Sequence, residues 1–209
     1  TEWAVEAGLS AATDGAREPL AKFEYGRRRG DTALDLSLKS ASEVDDDTGG
    51  GSITKREGTD AWRQSLDTRV IERNREATVG WRQPLASGRL SLTGALRSEQ
   101  VRTSTHIGAS DVDDAERIDE QERYREAEVG MRFVRQFRGR TTLEAMVSVQ
   151  RGQLDELEHS IEGDDDERFA GETDSGETIA RIGPTHARSD TLSFNAALEG
   201  AYNSLDGES

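Results

Sequence analysis

The chain has 209 residues, 33% hydrophobic, 33% charged and 5% aromatic, with 21 Gly, 3 Pro and no Cys, and its 27 basic and 42 acidic residues leave a net charge of -15. One third apolar lies well below the roughly 45–50% of ordinary soluble domains, which argues against a large two-sided core and against a conventional α/β enzyme. No apolar run approaches the roughly 18 residues of a membrane helix, the acidic balance excludes a phosphate-neutralising nucleic-acid surface, and the lack of Cys excludes a disulfide framework and thiolate zinc sites.

A chain this polar either stays disordered or buries one narrow face. The order of residues favours the second. From the N-terminus, Trp3, Val5, Ala7, Leu9 and Ala11 alternate with Ala4, Glu6, Gly8 and Ser10, the period of a strand and not of a helix. Ala21, Phe23 and Tyr25 repeat the pattern, then Leu34, Leu36 and Leu38, then Ala77, Val79 and Trp81, then Leu90, Leu92 and Leu96. Ala127 to Phe133, Leu143 to Val149 and Leu192 to Tyr202 follow, with a weaker candidate at Glu177 to Ile182. The spacing predicts eight strands and a ninth weaker one, each about nine to fifteen residues, longer than the usual five or six.

Short links at Arg28-Gly30-Asp31, Pro84 to Gly88, Phe137-Arg138-Gly139 and His186 to Asp190 alternate with long ones at Glu43 to Arg75, Ile107 to Tyr124 and Glu158 to Ser175. Asp14 to Glu18 falls in phase with the long set, though short. Tight turns at one end and long loops at the other describe an outer-membrane barrel with short periplasmic turns and long extracellular loops. Pro19 at a strand opening, Pro84 in a turn and Pro184 near another leave mid-sheet ladders intact. Glu120 to Glu128 is rich in helix formers, Asp60 to Glu72 reads either as a loop helix or as an extension of the next strand, and Gly49-Gly50-Gly51-Ser52 reads as a flexible loop.

Charge sorts with the links. Asp45-Asp46-Asp47, Asp111-Asp113-Asp114-Glu116 and Asp164-Asp165-Asp166-Glu167 fall in long links, while Arg27, Arg28, Arg29, Arg89, Arg138, Arg140 and Arg188 flank the tight turns. The acidic runs read as solvated loops; a sharper reading is Ca²⁺ binding, alone or bridging to lipid phosphates, although no run has the spacing of a calcium hand. The alternative to lipid is a soluble β-sandwich with a shared core. Against it stand Lys22, Lys39, Arg82, Arg97, Arg132 and Glu144 on the polar face, as a wet lumen requires, and Trp3, Trp81, Phe137 and Tyr202 near strand ends, as an interfacial girdle requires.

Arg75 to Arg82 followed by Gly88 to Leu96, and Leu36-Ser37-Leu38-Lys39 followed by a polar loop, resemble in texture the barrel strands of TonB-dependent outer-membrane receptors of Gram-negative bacteria. The resemblance covers most of the chain. It implies a large barrel of about 22 strands closed by an N-terminal plug, importing scarce ligands such as iron chelates, vitamin B12 or glycans with energy passed from the inner membrane through a TonB-type coupler. No plug-like segment or energy-coupling box lies within residues 1–209, the chain begins at Thr1 without a signal peptide, and it lacks a terminal aromatic, so a portion of a larger barrel is expected.

Catalytic chemistry has no signature. His106, His159 and His186 share no paired spacing and read as exposed polar residues, and no phosphate-binding glycine loop or nucleophile elbow is present. The expectation is one all-β segment, an antiparallel transmembrane β-barrel or part of one, non-enzymatic and without a cofactor. It would sit in the outer membrane against lipid and lipopolysaccharide and take up an unknown small ligand, with Lys39, Arg82, Arg97 and Arg132 lining the lumen. A passive or structural barrel, or a porin, is the alternative within the membrane.

Overall fold

The structure, a computed structural model, describes residues 1–11, 17–45, 48–57, 60–109, 115–137, 140–189 and 191–208. It is all-β, with no helix among the described residues: β1 (Glu2–Ala11), β2 (Arg17–Arg29), β3 (Thr32–Val44), β4 (Gly49–Glu57), β5 (Asp60–Leu85), β6 (Gly88–Ala109), β7 (Glu116–Phe137), β8 (Thr141–Glu162), β9 (Asp165–Ala187), β10 (Ser193–Asn195) and β11 (Leu198–Glu208). All belong to one 11-stranded sheet in the order β1-β2-β3-β5-β6-β7-β8-β9-β10, with β11 also on β9 and β4 on β5. Every ladder is antiparallel. The sheet does not close: among the described residues β1 pairs only with β2 and β11 only with β9, and both edges are exposed along their length.

Among the described residues nothing packs over the sheet. Its elements contact their ladder neighbours, no side chain among the described residues is fully buried, and the accessible surface is 15246 Å². A compact water-soluble chain of 22.9 kDa exposes about 9,600 Å². A single layer with both faces uncovered replaces the soluble sandwich considered above, whose core needs a second sheet.

The long links are the main correction. Glu43 to Arg75, Ile107 to Tyr124 and Glu158 to Ser175 are mostly strand, because β5, β6, β7, β8 and β9 run for 26, 22, 22, 22 and 23 residues. At ~3.4 Å per residue β7 is about 75 Å long, far beyond a membrane crossing. The asymmetry between the ends lies in strand length and not in loop length. Hydropathy alternation stops where the apolar side chains stop, but the ladder continues with residues that alternate in charge, as in Glu122-Arg123-Tyr124-Arg125-Glu126, or with strand formers such as Val101, Thr103 and Thr105. For the same reason Glu120 to Glu128 is strand and not helix, Asp60 to Glu72 is the extension of the strand that follows, and Gly49 to Ser52 is paired backbone in β4. The Asp14 link, Asp46-Asp47, Asp111 to Asp114 and Arg138-Gly139 lie outside the described residues.

Pro184 corrects a second expectation. It lies inside β9, paired with Leu143 on one side. On the other side the ladder breaks between β10 and β11, although Ser193↔Ala187 and Leu198↔Ile182 keep one register. Pro184 has no N–H to donate, and across the break its carbonyl accepts from the Ala196 N–H at 3.2 Å. The single strand predicted from Leu192 to Tyr202 is therefore two.

Tight turns set the register. Gly30 and Gly163 have φ of 58° and 57° at the first of two central positions, the arrangement of a type II′ hairpin. Between Leu85 and Gly88 both central residues, Ala86 and Ser87, sit at positive φ, 49° and 60°, as a type I′ hairpin demands and as neither residue prefers. Left-handed backbone costs a non-glycine residue roughly 1–2 kcal/mol. The double change Ala86→Asn and Ser87→Gly is expected to stabilise the sheet by about 1 kcal/mol, read as a higher urea midpoint at unchanged slope in detergent; a lower midpoint would refute the turn type.

Candidate functional site

Side chains in one register row share a face, so the ladders sort the whole sheet. The row Trp3, Tyr25, Leu36, Val79, Gly94 and Val129 continues through Val149, Thr178 and Tyr202. The next row holds Val5, Phe23, Leu38, Ala77, Leu96 and Ala127. This apolar face is the exposed one: Val129 is 63% and Leu96 60% accessible. The opposite, polar face is the sheltered one, and the buried polar side chain there is Glu126. Inside and outside are inverted relative to a protein folded in water.

The apolar belt also drifts. On β1 it lies towards the extended end of the Trp3 row (Val5, Ala7, Leu9), on β5 to β7 it straddles that row, and on β9 to β11 it lies towards the tight-turn end (Ile182, Leu198, Phe194). Six outward aromatics follow the same diagonal along its lower rim, from Trp3 and Tyr25 through Trp81 and Phe133 to Phe137 and Phe194, while Phe23 and Tyr202 lie towards the extended end. A drift of about one residue per strand, at ~3.4 Å rise and ~4.8 Å spacing, inclines the strands about 35° to the belt normal, the tilt of transmembrane barrels.

Lys39, Arg82, Arg97 and Arg132 all fall on the polar face, as strand parity predicts. They are not equivalent. One register row there reads Glu6, Lys22, Lys39, Glu76, Arg97, Glu126, a band of mixed charge across six strands. The Glu126 carboxylate, its side chain 8% accessible, accepts from Arg97 Nη1 at 2.9 Å, from the Tyr124 hydroxyl at 2.7 Å and from Gln150 Nε2 at 2.7 Å. Arg97 also faces Glu76 at 3.8 Å, and Lys22 pairs with Glu24 at 2.9 Å. Nearer the tight turns Arg132 donates to Glu144 at 2.6 Å, whereas Arg82 lies in a row with Ala33 and Ser91. A shallow groove of ≈ 650 Å³ crosses the polar face beside this band, with Glu24, Asp35, Ser37, Thr78 and Glu128 in its lining.

Beyond the belt the polar face turns acidic. Glu43, Glu72, Glu122 and Glu156 share one row, interrupted by Val101. Hydropathy does not reveal this row or the Glu126 cluster; the readable signal is period two in the sign of charge, Glu on one parity and Arg on the other.

Among the described residues, the acidic run Asp164 to Glu167 is dispersed. Asp165 and Glu167 fall on the opposite face from Asp166, which is engaged with His159 Nε2 at 3.0 Å and Arg168 at 3.3 Å. His186 shares a hydrogen bond with Thr141 at 2.8 Å, and His106 lies exposed on β6. No group of three His, Asp or Glu among the described residues could hold a metal ion. On the extension of β7, well outside the belt, the Ser104 hydroxyl donates to Asp119 at 2.6 Å and holds its carboxyl below the usual aspartate range, with Arg117 at 2.7 Å assisting.

No family model and no curated protein matches the chain. Among solved structures it is similar to the ferric citrate transporter FecA in its unliganded form, at 11% identity over 95% of this chain and 34% of that one, with a TM-score of 0.47. It is also similar to the ferric yersiniabactin uptake receptor FyuA from Yersinia pestis, at 7% identity over 99% of this chain and 44% of that one, TM-score 0.46. A third similarity is to a major outer membrane protein from Thermus thermophilus, at 10% identity over 80% of this chain and 82% of that one, TM-score 0.32. The chain thus spans between a third and a half of the length of the first two.

Two outcomes follow from the side-chain geometry. Glu126→Ala strands three donors and is expected to cost about 2 kcal/mol, while Glu76→Ala, which removes a half-exposed partner, costs under ~1 kcal/mol; urea unfolding of the two variants should preserve that order. Because the folded-state pKa of Asp119 is depressed, its contribution to stability is present above the ordinary aspartate value and is lost as pH falls through the lower folded value. Ser104→Ala should move the Asp119 titration upward, observed by carboxyl ¹³C NMR.

Proposed function

We propose that the chain forms part of a β-barrel in the Gram-negative outer membrane and that it serves ligand uptake in the manner of a TonB-dependent receptor. The observation that carries the membrane placement is the inverted single layer: an exposed apolar belt, tilted like a barrel's, around a sheltered polar face. Lipid is the surrounding that rewards this distribution.

The finer reading draws on the resemblance of the strands to that family. The acidic extension, with Glu43, Glu72, Glu122 and Glu156, forms the outer vestibule and makes the first ligand contacts, and its charge favours cationic or metal-bearing ligands. The band from Lys22 to Glu126 lines the lumen below. The chain is non-catalytic and holds no cofactor of its own, and energy coupling would act through a plug not found in this sequence. The same mixed-charge band would equally suit a passive, water-filled pore, and uptake that survives collapse of the inner-membrane proton gradient would select that reading.

The membrane placement is tested by refolding with and without detergent micelles. A β-rich, heat-modifiable species is expected only in detergent; a cooperative monomer in plain buffer overturns the assignment. Parity sharpens the test: Val129→Arg in the belt is expected to cost about 2–4 kcal/mol, and Thr78→Arg on the polar face, in a row with Glu128, less than ~0.5 kcal/mol.

A further inference from the structure

Three strands that run towards the tight turns carry the same triplet there: Gly26-Arg27-Arg28 on β2, Gly80-Trp81-Arg82 on β5 and Gly130-Met131-Arg132 on β7. The ladders bring the triplets into register on the polar face. Arg28, Arg82 and Arg132 share one row, separated by the neutral Ala33 and Ser91. The three glycines share the next row towards the extended end, separated by Asp35 and Thr93. One row further lie Glu24 and Glu128. A glycine inside a strand weakens it and marks a place where something approaches closely.

At Gly130 the space is already filled, since the Thr93 hydroxyl lies 2.6 Å from where a Cβ would stand. At Gly26 and Gly80 it is open: the nearest atoms from elsewhere in the sheet are Asp35 Oδ1 at 3.5 Å and Asp35 Cβ at 3.9 Å. This open floor is part of the ≈ 650 Å³ groove on the polar face. Most charges around it are matched, Arg132 by Glu144, Arg181 by Glu199 at 3.8 Å and Glu24 by Lys22. The side chains of Arg28, Arg82 and Asp35 have no hydrogen bond or ion pair among the described residues. Asp35 stands one strand from each arginine and one row, ~7 Å, above them, while the arginines are two strands, ~10 Å, apart. Two guanidinium groups and one carboxylate therefore surround an open floor without meeting.

We propose that this floor binds a small dipolar solute, with its oxyanion between Arg28 and Arg82 and its ammonium group at Asp35, an inference that rests on the polar face lining a lumen. Guanidinium groups hold carboxylate or phosphate in a bidentate fashion, and a pair ~10 Å apart at the backbone spans one such group. A plain anion would be opposed by Asp35, and a plain cation by the two arginines. A solute with both charges satisfies all three side chains. The row spacing selects a charge separation of about 7 Å, which a short straight chain between the two groups supplies. The glycines leave that chain room to lie against the backbone.

The experiment uses the full chain folded in zwitterionic micelles and titrated with 5-aminopentanoate, pentanoate and pentylamine, followed by ligand-observed NMR. The aminopentanoate is expected to bind at least about fivefold more tightly than either singly charged probe. Arg28→Gln with Arg82→Gln should weaken it at least about fivefold. The same charge change on the opposite face of β2, Arg27→Gln with Arg29→Gln, should leave it within about twofold. Asp35→Asn should remove the preference over pentanoate. Equal affinity for the three probes, equal loss in the two arginine variants, or an undiminished preference in Asp35→Asn overturns the proposal. If the inward double variant fails to fold, Arg28→Gln and Arg82→Gln made singly carry the same comparison. A chain that gives no heat-modifiable species in any micelle refutes the membrane reading itself, whereas a folded chain that does not bind the aminopentanoate refutes this inference alone.

Discussion

A single-layer sheet has two faces and, among the described residues, nothing to cover either, so the surroundings must match each face separately. One face presents Val5, Leu38, Leu96 and Val129 outward, and the other shelters Glu126 with three hydrogen-bond donors around it. In water the first face would lose the burial that stabilises a fold, at roughly 25 cal/mol for each Å² left exposed. Against hydrocarbon the same exposure is no penalty, and the closed backbone ladders become the dominant requirement. Strand tilt, the diagonal line of aromatics and the sign of charge beyond the belt all follow from that one constraint.

The edges follow from it as well. Unpaired N–H and C=O groups in hydrocarbon cost several kcal/mol each, so β1 and β11 need partners wherever they cross lipid. Alternation along the path from β1 through β9 to β11 leaves the two edges running in the same direction. Joining them would need a parallel ladder in a sheet that is otherwise antiparallel throughout. Antiparallel completion instead takes an odd number of further strands between the two edges.

Within the polar face, stability and function draw on the same side chains. The band from Glu6 to Glu126 balances its charges across neighbouring strands, so a hydrated lumen can carry it without unpaired ions. The carboxylates of the extension are not balanced in this way. Their excess sets a negative electrostatic field over the extended end of the polar face.

The sequence by itself determined the local period. Alternation at Trp3 to Ala11, Leu34 to Leu38 and Ala127 to Phe133 specifies strands with one apolar side, and the parity of Lys39, Arg82, Arg97 and Arg132 places them on the other, because side chains on a strand can only alternate. What hydropathy could not show is where the strands end: past the belt, Glu120 to Glu128 and Asp60 to Glu72 stay extended because neighbouring backbones pair with them, and their pattern is written in charge. Only the tertiary structure decided the register, since a row such as Arg75, Ser98 and Arg125 joins residues far apart in sequence through inter-strand hydrogen bonds. Register brought Arg97 and Gln150 onto the Glu126 carboxylate, which Tyr124 reaches from its own strand. It also showed a sheet of one layer with open edges, because pairing and covering are relations between strands and are not encoded in any one of them.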